Sequence, residues 1–470
     1  MIVLISQTIN ASYDFDEGVF LQVSTNLRYH LTYASFERLF DYNITTGPTV
    51  IIPASLFVNT ILPFLPRLVI NIYVIVLLWL LLKHIYILDN QKIIFLVLVL
   101  FTPLFFFFST HVLGEIPALT LLIFSYYFFT KKKYFLTGIF IALSVLTKNI
   151  FFISIIPIII VWFMQVITNK DYNKQIQNLS IIIAGGLMIL ILWNLYILIS
   201  IQFNLPKFIE IWSSTIIFNG SLSHPNPLAF YDRLRMINYV FFLNPILFIT
   251  IMLFIGIYVL FTKSKKEIIF FKMVALFQLF FSLYFLFICS TNWYRYFFPS
   301  ILSFIIIIPY FLTVFLKKLN KNKIVLLLLF ISIFIVDSFI ERKRLNNPAI
   351  NLTKLVEQNL LFVGESKTPY FKENLLLKKQ KETANFVNIS IPYVKKISGI
   401  GIYRAPEISY LTGRPIGRDP ENDNADYIIY QTYGMSNPWT SDIYSYLDKV
   451  LPKEKVFDNQ AYKIFKLLNN

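Results

Sequence analysis

Apolar positions fall in long runs separated by short polar punctuation. A run of about 20 apolar residues is long enough to cross the hydrocarbon of a bilayer as a helix, with its backbone groups satisfied internally. On that criterion the chain predicts crossings near 67–88, 93–109, 112–129, 134–147, 149–168, 178–203, 239–261, 268–289, 297–316 and 324–340, of which 134–147 is short. The opening Met1-Ile2-Val3-Leu4-Ile5-Ser6 has neither the basic region nor the apolar length of a signal peptide, and it looks like half a helix, expected to be either a stub that enters the outer leaflet or the end of a truncated first span. The expected fold is mainly α, a polytopic transmembrane bundle of about 10–11 crossings. The apolar piece at 50–64 carries Pro53 and Pro63 and predicts an interfacial or re-entrant helix.

After about residue 345 the long runs end, and short β-like stretches such as Tyr427-Ile428-Ile429-Tyr430 alternate with polar helical ones. Two domains are expected: a transmembrane domain over 1–344, with an outer loop at 7–66, and a small soluble α/β domain over 345–470.

Composition agrees with a membrane protein: of 470 residues 56% are hydrophobic and 14% charged. The net charge of +16 sits mostly in clusters between apolar runs, which argues against a nucleic-acid-binding face. Lys131-Lys132-Lys133, then Lys170 and Lys174, then Lys263, Lys265 and Lys266, then Lys317, Lys318, Lys321 and Lys323 occupy every second connection. Basic short loops favour the cytoplasm. Counting from them places residues 14–17, Glu115, Lys148, the 204–238 loop and residues 292–296 on one extracytoplasmic face, with the soluble domain on the same side. The single Cys289 allows no intrachain disulfide.

That shared face carries the candidate chemistry. Tyr13-Asp14-Phe15-Asp16-Glu17-Gly18 holds three carboxylates beside an apolar stub. Acids there read as a general base that takes a proton from an attacking hydroxyl, with Asp16, Glu17 or Asp14 as candidates; the plain alternative is a solvated loop or helix cap. Glu115 opens a predicted crossing and can order a substrate hydroxyl, bind a metal, pair with a nearby base or simply end a helix. Lys148 can hold a lipid phosphate or snorkel at a helix end. Arg295, in Asn292-Trp293-Tyr294-Arg295-Tyr296, can grip a phosphate or anchor an aromatic belt. His30, His84 and His111 have no zinc-ligand spacing, and no phosphate-cradling glycine loop, nucleophile elbow or dinucleotide fingerprint occurs.

In their order these residues resemble the GT-C glycosyltransferases, and within them the dolichyl-phosphate-mannose protein mannosyltransferase-like bacterial enzymes. The resemblance rests on Asp16-Glu17 followed by a helix, on Thr45-Thr46-Gly47-Pro48, and on Glu115. It continues through the helix pair from Lys132 to Lys148, Arg295-Tyr296 with Pro299, and the tail segments Glu407 to Arg414 and Ala425 to Ile428. It implies inverting transfer of a sugar from a polyprenyl-phosphate donor to a hydroxyl of a lipid, polysaccharide or protein acceptor, outside a bacterial plasma membrane. Asp16 would be the base, Glu115 would order donor or acceptor, and Lys148, Arg295 and Tyr296 would serve the donor phosphate. The resemblance leaves a divalent cation open, since some relatives use one and others do not. The rival reading is a transporter or flippase of a lipid-linked molecule, which would line its pathway with charges within the spans.

Overall fold

The computed structural model describes residues 8–9, 15–31, 33, 46–58, 61–100, 102, 105–169, 172–219, 245–262, 268–288, 296–316, 373–399, 405–417, 424–431 and 453–468. It is a helical bundle with a small mixed sheet near the C-terminus. Five described segments are long and apolar enough to cross a membrane: Leu65–Ile85, Asn149–Ile167, Tyr172–Ser200, Ile268–Ile288 and Phe298–Phe315. The chain is an integral membrane protein of the expected architecture.

The first elements are short. Helix α1 (Phe15–His30) lies against α2 (Pro48–Leu56), and Arg28 Nη1 donates to the carbonyls of Ser55 and Leu56 at 3.3 and 2.5 Å, capping the C-terminal end of α2. At nine residues α2 is too short to cross a bilayer, in keeping with an interfacial or re-entrant piece, and it accommodates Pro53 within its length.

Helix α3 (Leu68–Leu80) follows a single 3-10 turn at Leu65–Arg67. The expected crossing at 93–109 is instead two helices, α4 (Asp89–Leu100) and α5 (Phe105–Thr110). Pro103 stands between them, and a proline both lacks an N–H and disfavours helix at the preceding residue. The expected 324–340 crossing and the Lys263–Lys266 and Lys317–Lys323 clusters lie outside the described residues.

Helices α6 (Glu115–Thr130) and α7 (Tyr134–Thr147) form a hairpin around Lys131-Lys132-Lys133. Ser125 Oγ donates to the Thr137 carbonyl and Ser144 Oγ to that of Ala118, tying the two helices along their length at 2.9 and 2.8 Å. The three lysines are exposed at the turn, whereas Glu115 and Lys148 are buried at the open end. About 16 residues of helix put those ends roughly 24 Å apart. The hairpin therefore separates the basic turn from the acid–base pair by most of a hydrocarbon thickness.

After a 3-10 segment at Asn149–Ser154 come α8 (Ile155–Asn169), α9 (Tyr172–Ser200) and α10 (Leu205–Asn219), the last occupying the start of the expected 204–238 loop. Helices α7 and α9 cross at glycines: a Cβ on Gly138 would lie 1.9 Å from the Ile182 carbonyl oxygen. Small residues permit such close backbone approach, which membrane helices use in place of a hydrophobic driving force. Helices α11 (Pro245–Phe261), α12 (Ile268–Leu283) and α13 (Phe298–Leu316) complete the described bundle, with aromatic stacking such as Phe271 on Tyr310 at 4.4 Å between ring centroids.

The C-terminal part has its own apolar core of residues including Val387, Ile397, Ile408, Ile429 and Ile464. It comprises α14 (Glu373–Ser390), β1 (Ile397–Ser398), α15 (Pro406–Thr412), β2 (Ile416–Gly417), β3 (Tyr427–Gln431), β4 (Lys453–Asp458) and β5 (Tyr462–Leu467). The sheet order is β2-β1-β3-β5-β4; β1 runs parallel to β2 and β3, and β5 antiparallel to β3 and β4. Arg414 is buried and donates to the carbonyls of Val387, Ile391, Pro392 and Lys395 at 2.7–3.0 Å, satisfying the end of α14 and the turn beyond it.

Helix α15 seats on α1. Gly18 permits the contact, since a Cβ there would lie 2.6 Å from the Glu407 nitrogen. Gln22 Nε2 donates to the Pro406 carbonyl at 3.2 Å, and Tyr410 Oη donates to that of Pro63 at 2.8 Å.

Candidate functional site

Two acids of the sequence-derived set are buried, each with a cation. Glu17, in the first turn of α1, is fully buried and takes a two-pronged bond from Arg67, Nε to Oε1 and Nη2 to Oε2, both at 2.7 Å. The Val112 N–H adds a third bond to Oε1 at 2.9 Å, and Arg67 Nη1 donates to the Thr8 carbonyl at 3.1 Å. Bidentate guanidinium–carboxylate pairing is the strong form of this contact, and buried charges persist only when so satisfied. Burial pushes the Glu17 carboxyl up, but the charges of Arg67 and His111, with the bonds from Arg67 and Val112, outweigh it and hold the group below its ordinary 4.5.

The second pair is Glu115 with Lys148. Glu115 opens α6 and Lys148 follows α7, so the hairpin brings them together across 33 positions of sequence, where Lys148 Nζ donates to Glu115 Oε1. Both are buried. The ammonium also faces the ring of Tyr296, 5.1 Å from its centroid, a cation–π arrangement. Glu115 Oε2 is buried with no hydrogen-bond partner.

One short segment joins the two pairs: Val112, which bonds Glu17, stands three residues before Glu115. Glu17, Glu115, Lys148 and Tyr296, distant in sequence, thus share one end of the bundle. Asp14 and Arg295 lie outside the described residues, as does the side chain of Asp16, whose backbone is the second residue of α1. Residues 220–238 of the expected outer loop also lie outside them.

Sequence reasoning missed Arg67. A signal for Arg67 existed. By the basic-loop count it stands on the outer side, against the trend, as Lys148 does. The two misplaced cations are the two that hold the acids.

Among the described residues, no group of three or more His, Cys, Asp or Glu side chains is placed to share a metal ion. Glu17 is saturated by Arg67 and Val112, whereas Glu115 keeps one carboxylate oxygen unbonded.

A structure of ArnT from Cupriavidus metallidurans bound to undecaprenyl phosphate superposes over 99% of this chain and 96% of that chain, with a TM-score of 0.64 at 10% sequence identity. The chain is similar in fold to ArnT. The apo structure of ArnT gives the same coverage, 99% and 96%, with a TM-score of 0.58 at 9% identity. No protein-family model matches the chain, and none of the curated proteins matches it significantly. At such identity the likeness to ArnT is one of fold, and it extends through bundle and C-terminal domain alike.

Proposed function

We propose that the protein is a membrane glycosyltransferase of the GT-C type that moves a sugar from a polyprenyl-phosphate-linked donor to an acceptor hydroxyl. The observation that carries this reading is the meeting of Glu17–Arg67 and Glu115–Lys148 at one end of the bundle, beside the start of α1 where Asp16 stands. The ArnT fold, seen there with undecaprenyl phosphate, supports it.

In this reading the acceptor oxygen attacks the anomeric carbon and loses its proton to Asp16, while the bond from that carbon to the phosphate oxygen breaks with its electron pair. One new carbon–oxygen bond replaces the old, with inversion. The leaving polyprenyl phosphate is a stable anion, so it calls for positive charge more than for an acid. We assign that charge to Arg295 beside Tyr296. Lys148 is already largely neutralised by Glu115, and its role is to hold that carboxylate. Glu17, locked by Arg67, fixes the first turn of α1, in which Asp16 is the neighbouring residue. We place the site and the C-terminal domain on the extracytoplasmic side of a bacterial plasma membrane, opposite the Lys131–Lys133 turn. The narrower mannosyltransferase-like grouping, the sugar and the acceptor belong to the same proposal.

The test is transfer of label from radiolabelled polyprenyl-phosphate sugars to membrane acceptors by purified protein in lipid. Asp16→Asn should lower the rate by about 10²–10⁴-fold, the usual weight of a general base, with insertion and thermal unfolding unchanged. Wild-type rates in Asp16→Asn would remove the base assignment. Absence of transfer from every donor would favour a lipid-linked transporter.

A further inference from the structure

Among the described residues, Glu115 Oε2 and Thr46 Oγ1, in residues 1% and 0% exposed, are buried without a hydrogen-bond partner. Gly114 links them. A Cβ on that residue would lie 3.2 Å from Thr46 Oγ1 and 3.4 Å from Lys148 Cδ, and the lysine stem ends on Glu115. No hydrogen bond joins the two oxygens.

Thr46 is held where it is. The Gly47 N–H donates to the Thr147 carbonyl at 2.8 Å, the hydroxyls of Thr49 and Thr147 are bonded, and a Cβ on Gly47 would fall 1.6 Å from the Leu146 carbonyl oxygen. These contacts dock the segment on the Leu146–Lys148 turn, with the Thr46 hydroxyl beside Gly114.

Buried polar atoms of native proteins are nearly always bonded, so each that is not calls for an explanation, and a bound group that completes it is one. The chemistry of the completing group follows from the pair. An ionised carboxylate oxygen only accepts, while a threonine hydroxyl both donates and accepts. A phosphate oxygen would face the bare carboxylate and be repelled. A neutral hydroxyl can give its hydrogen to Glu115 Oε2 and take that of Thr46.

We propose that Thr46 and Glu115 form a hydroxyl-recognition subsite for a sugar, with Thr46 a specificity-determining residue. The proposal builds on the glycosyltransferase reading but not on turnover, and the hydroxyl can come from the donor sugar or from a saccharide acceptor.

Equilibrium binding to the full chain in lipid nanodiscs tests it. In one arm the probes are polyprenyl phosphate and polyprenyl-phosphate hexose or pentose; in the other they are methyl hexosides and pentosides. Thr46→Val should weaken sugar-bearing probes about three- to tenfold, the worth of one hydrogen bond, leave polyprenyl phosphate unchanged, and be rescued by Thr46→Ser. An effect confined to the first arm assigns the hydroxyl to the donor, and one confined to the second assigns it to an acceptor. Gly114→Ala, whose methyl would crowd Thr46 Oγ1, should weaken the same probes and serves if Thr46→Val does not fold. Unchanged sugar binding in a folded variant overturns the proposal. Loss of sugar binding in a protein that transfers no label would instead retain the subsite and remove the transferase reading.

Discussion

Glu17–Arg67 and Glu115–Lys148 are both buried acid–base pairs at the same end of the bundle, yet they differ in completeness. Glu17 has both oxygens bonded by guanidinium nitrogens and a backbone N–H besides, and Arg67 uses a further nitrogen on Thr8. Glu115 has one oxygen on Lys148 and the other bare. A saturated pair has nothing left for a ligand and acts as a clasp; a half-saturated one keeps a bonding position. The difference in cation follows. A planar guanidinium closes both oxygens of a carboxylate, whereas an ammonium is a point charge that satisfies one.

The sharpest way to break this contrast is to remove each cation in turn. Arg67→Met leaves Glu17 charged and buried with only the Val112 N–H, and it should cost about 3–5 kcal/mol in stability, read by thermal or denaturant unfolding in lipid. Lys148→Met should cost less, about 3 kcal/mol, because fewer bonds are lost. The double changes separate the roles. Glu17→Gln with Arg67→Met should recover most of the stability together with measurable transfer, since a clasp can be rebuilt without charge. Glu115→Gln with Lys148→Met should recover stability but not transfer. Equal recovery of transfer in both doubles would erase the distinction.

Acid sharpens it further. The folded Glu17 carboxyl titrates below its ordinary 4.5, so its contribution to stability is complete above that value and is lost as pH falls through the lowered folded value. Wild-type protein should therefore lose stability more steeply than Glu17→Gln as pH drops below about 4.5, and parallel curves would mean that the clasp is not the titrating group.

The contrast also shows what was legible in the chain. The bundle could be read because apolar runs must be helices in lipid, and Asp16, Glu17, Glu115 and Lys148 stood out because charge is conspicuous in such a sequence. The pairings could not be read. Glu17 meets Arg67 across 50 positions and Glu115 meets Lys148 across 33, and periodicity carries no information about contacts between elements. Arg67 is the first position of an expected crossing. Thr46 is inconspicuous in sequence beside Gly47-Pro48, because a hydroxyl becomes informative only when it is seen buried and unbonded. The split of 93–109 into two helices was available from Pro103, whose consequence a hydropathy run conceals.

The smallest expected effect concerns the outer flank of the clasp. Arg67 grips α1 through Glu17 at its first turn, and the C-terminal domain grips the same helix through α15 at Gly18 and Gln22. Tyr410 extends that grip to the stretch before Arg67, by donating its hydroxyl to the Pro63 carbonyl at 2.8 Å. Tyr410→Phe keeps the ring and deletes one part-buried hydrogen bond, worth about 0.5–1.5 kcal/mol. If α15 and the clasp hold α1 jointly, the loss should appear as faster hydrogen exchange in both residues 405–417 and the first turns of α1, with the bundle helices α12 and α13 unchanged. Faster exchange confined to 405–417 would mean that the clasp holds α1 alone, and that the C-terminal domain merely rests on a helix already fixed by Arg67.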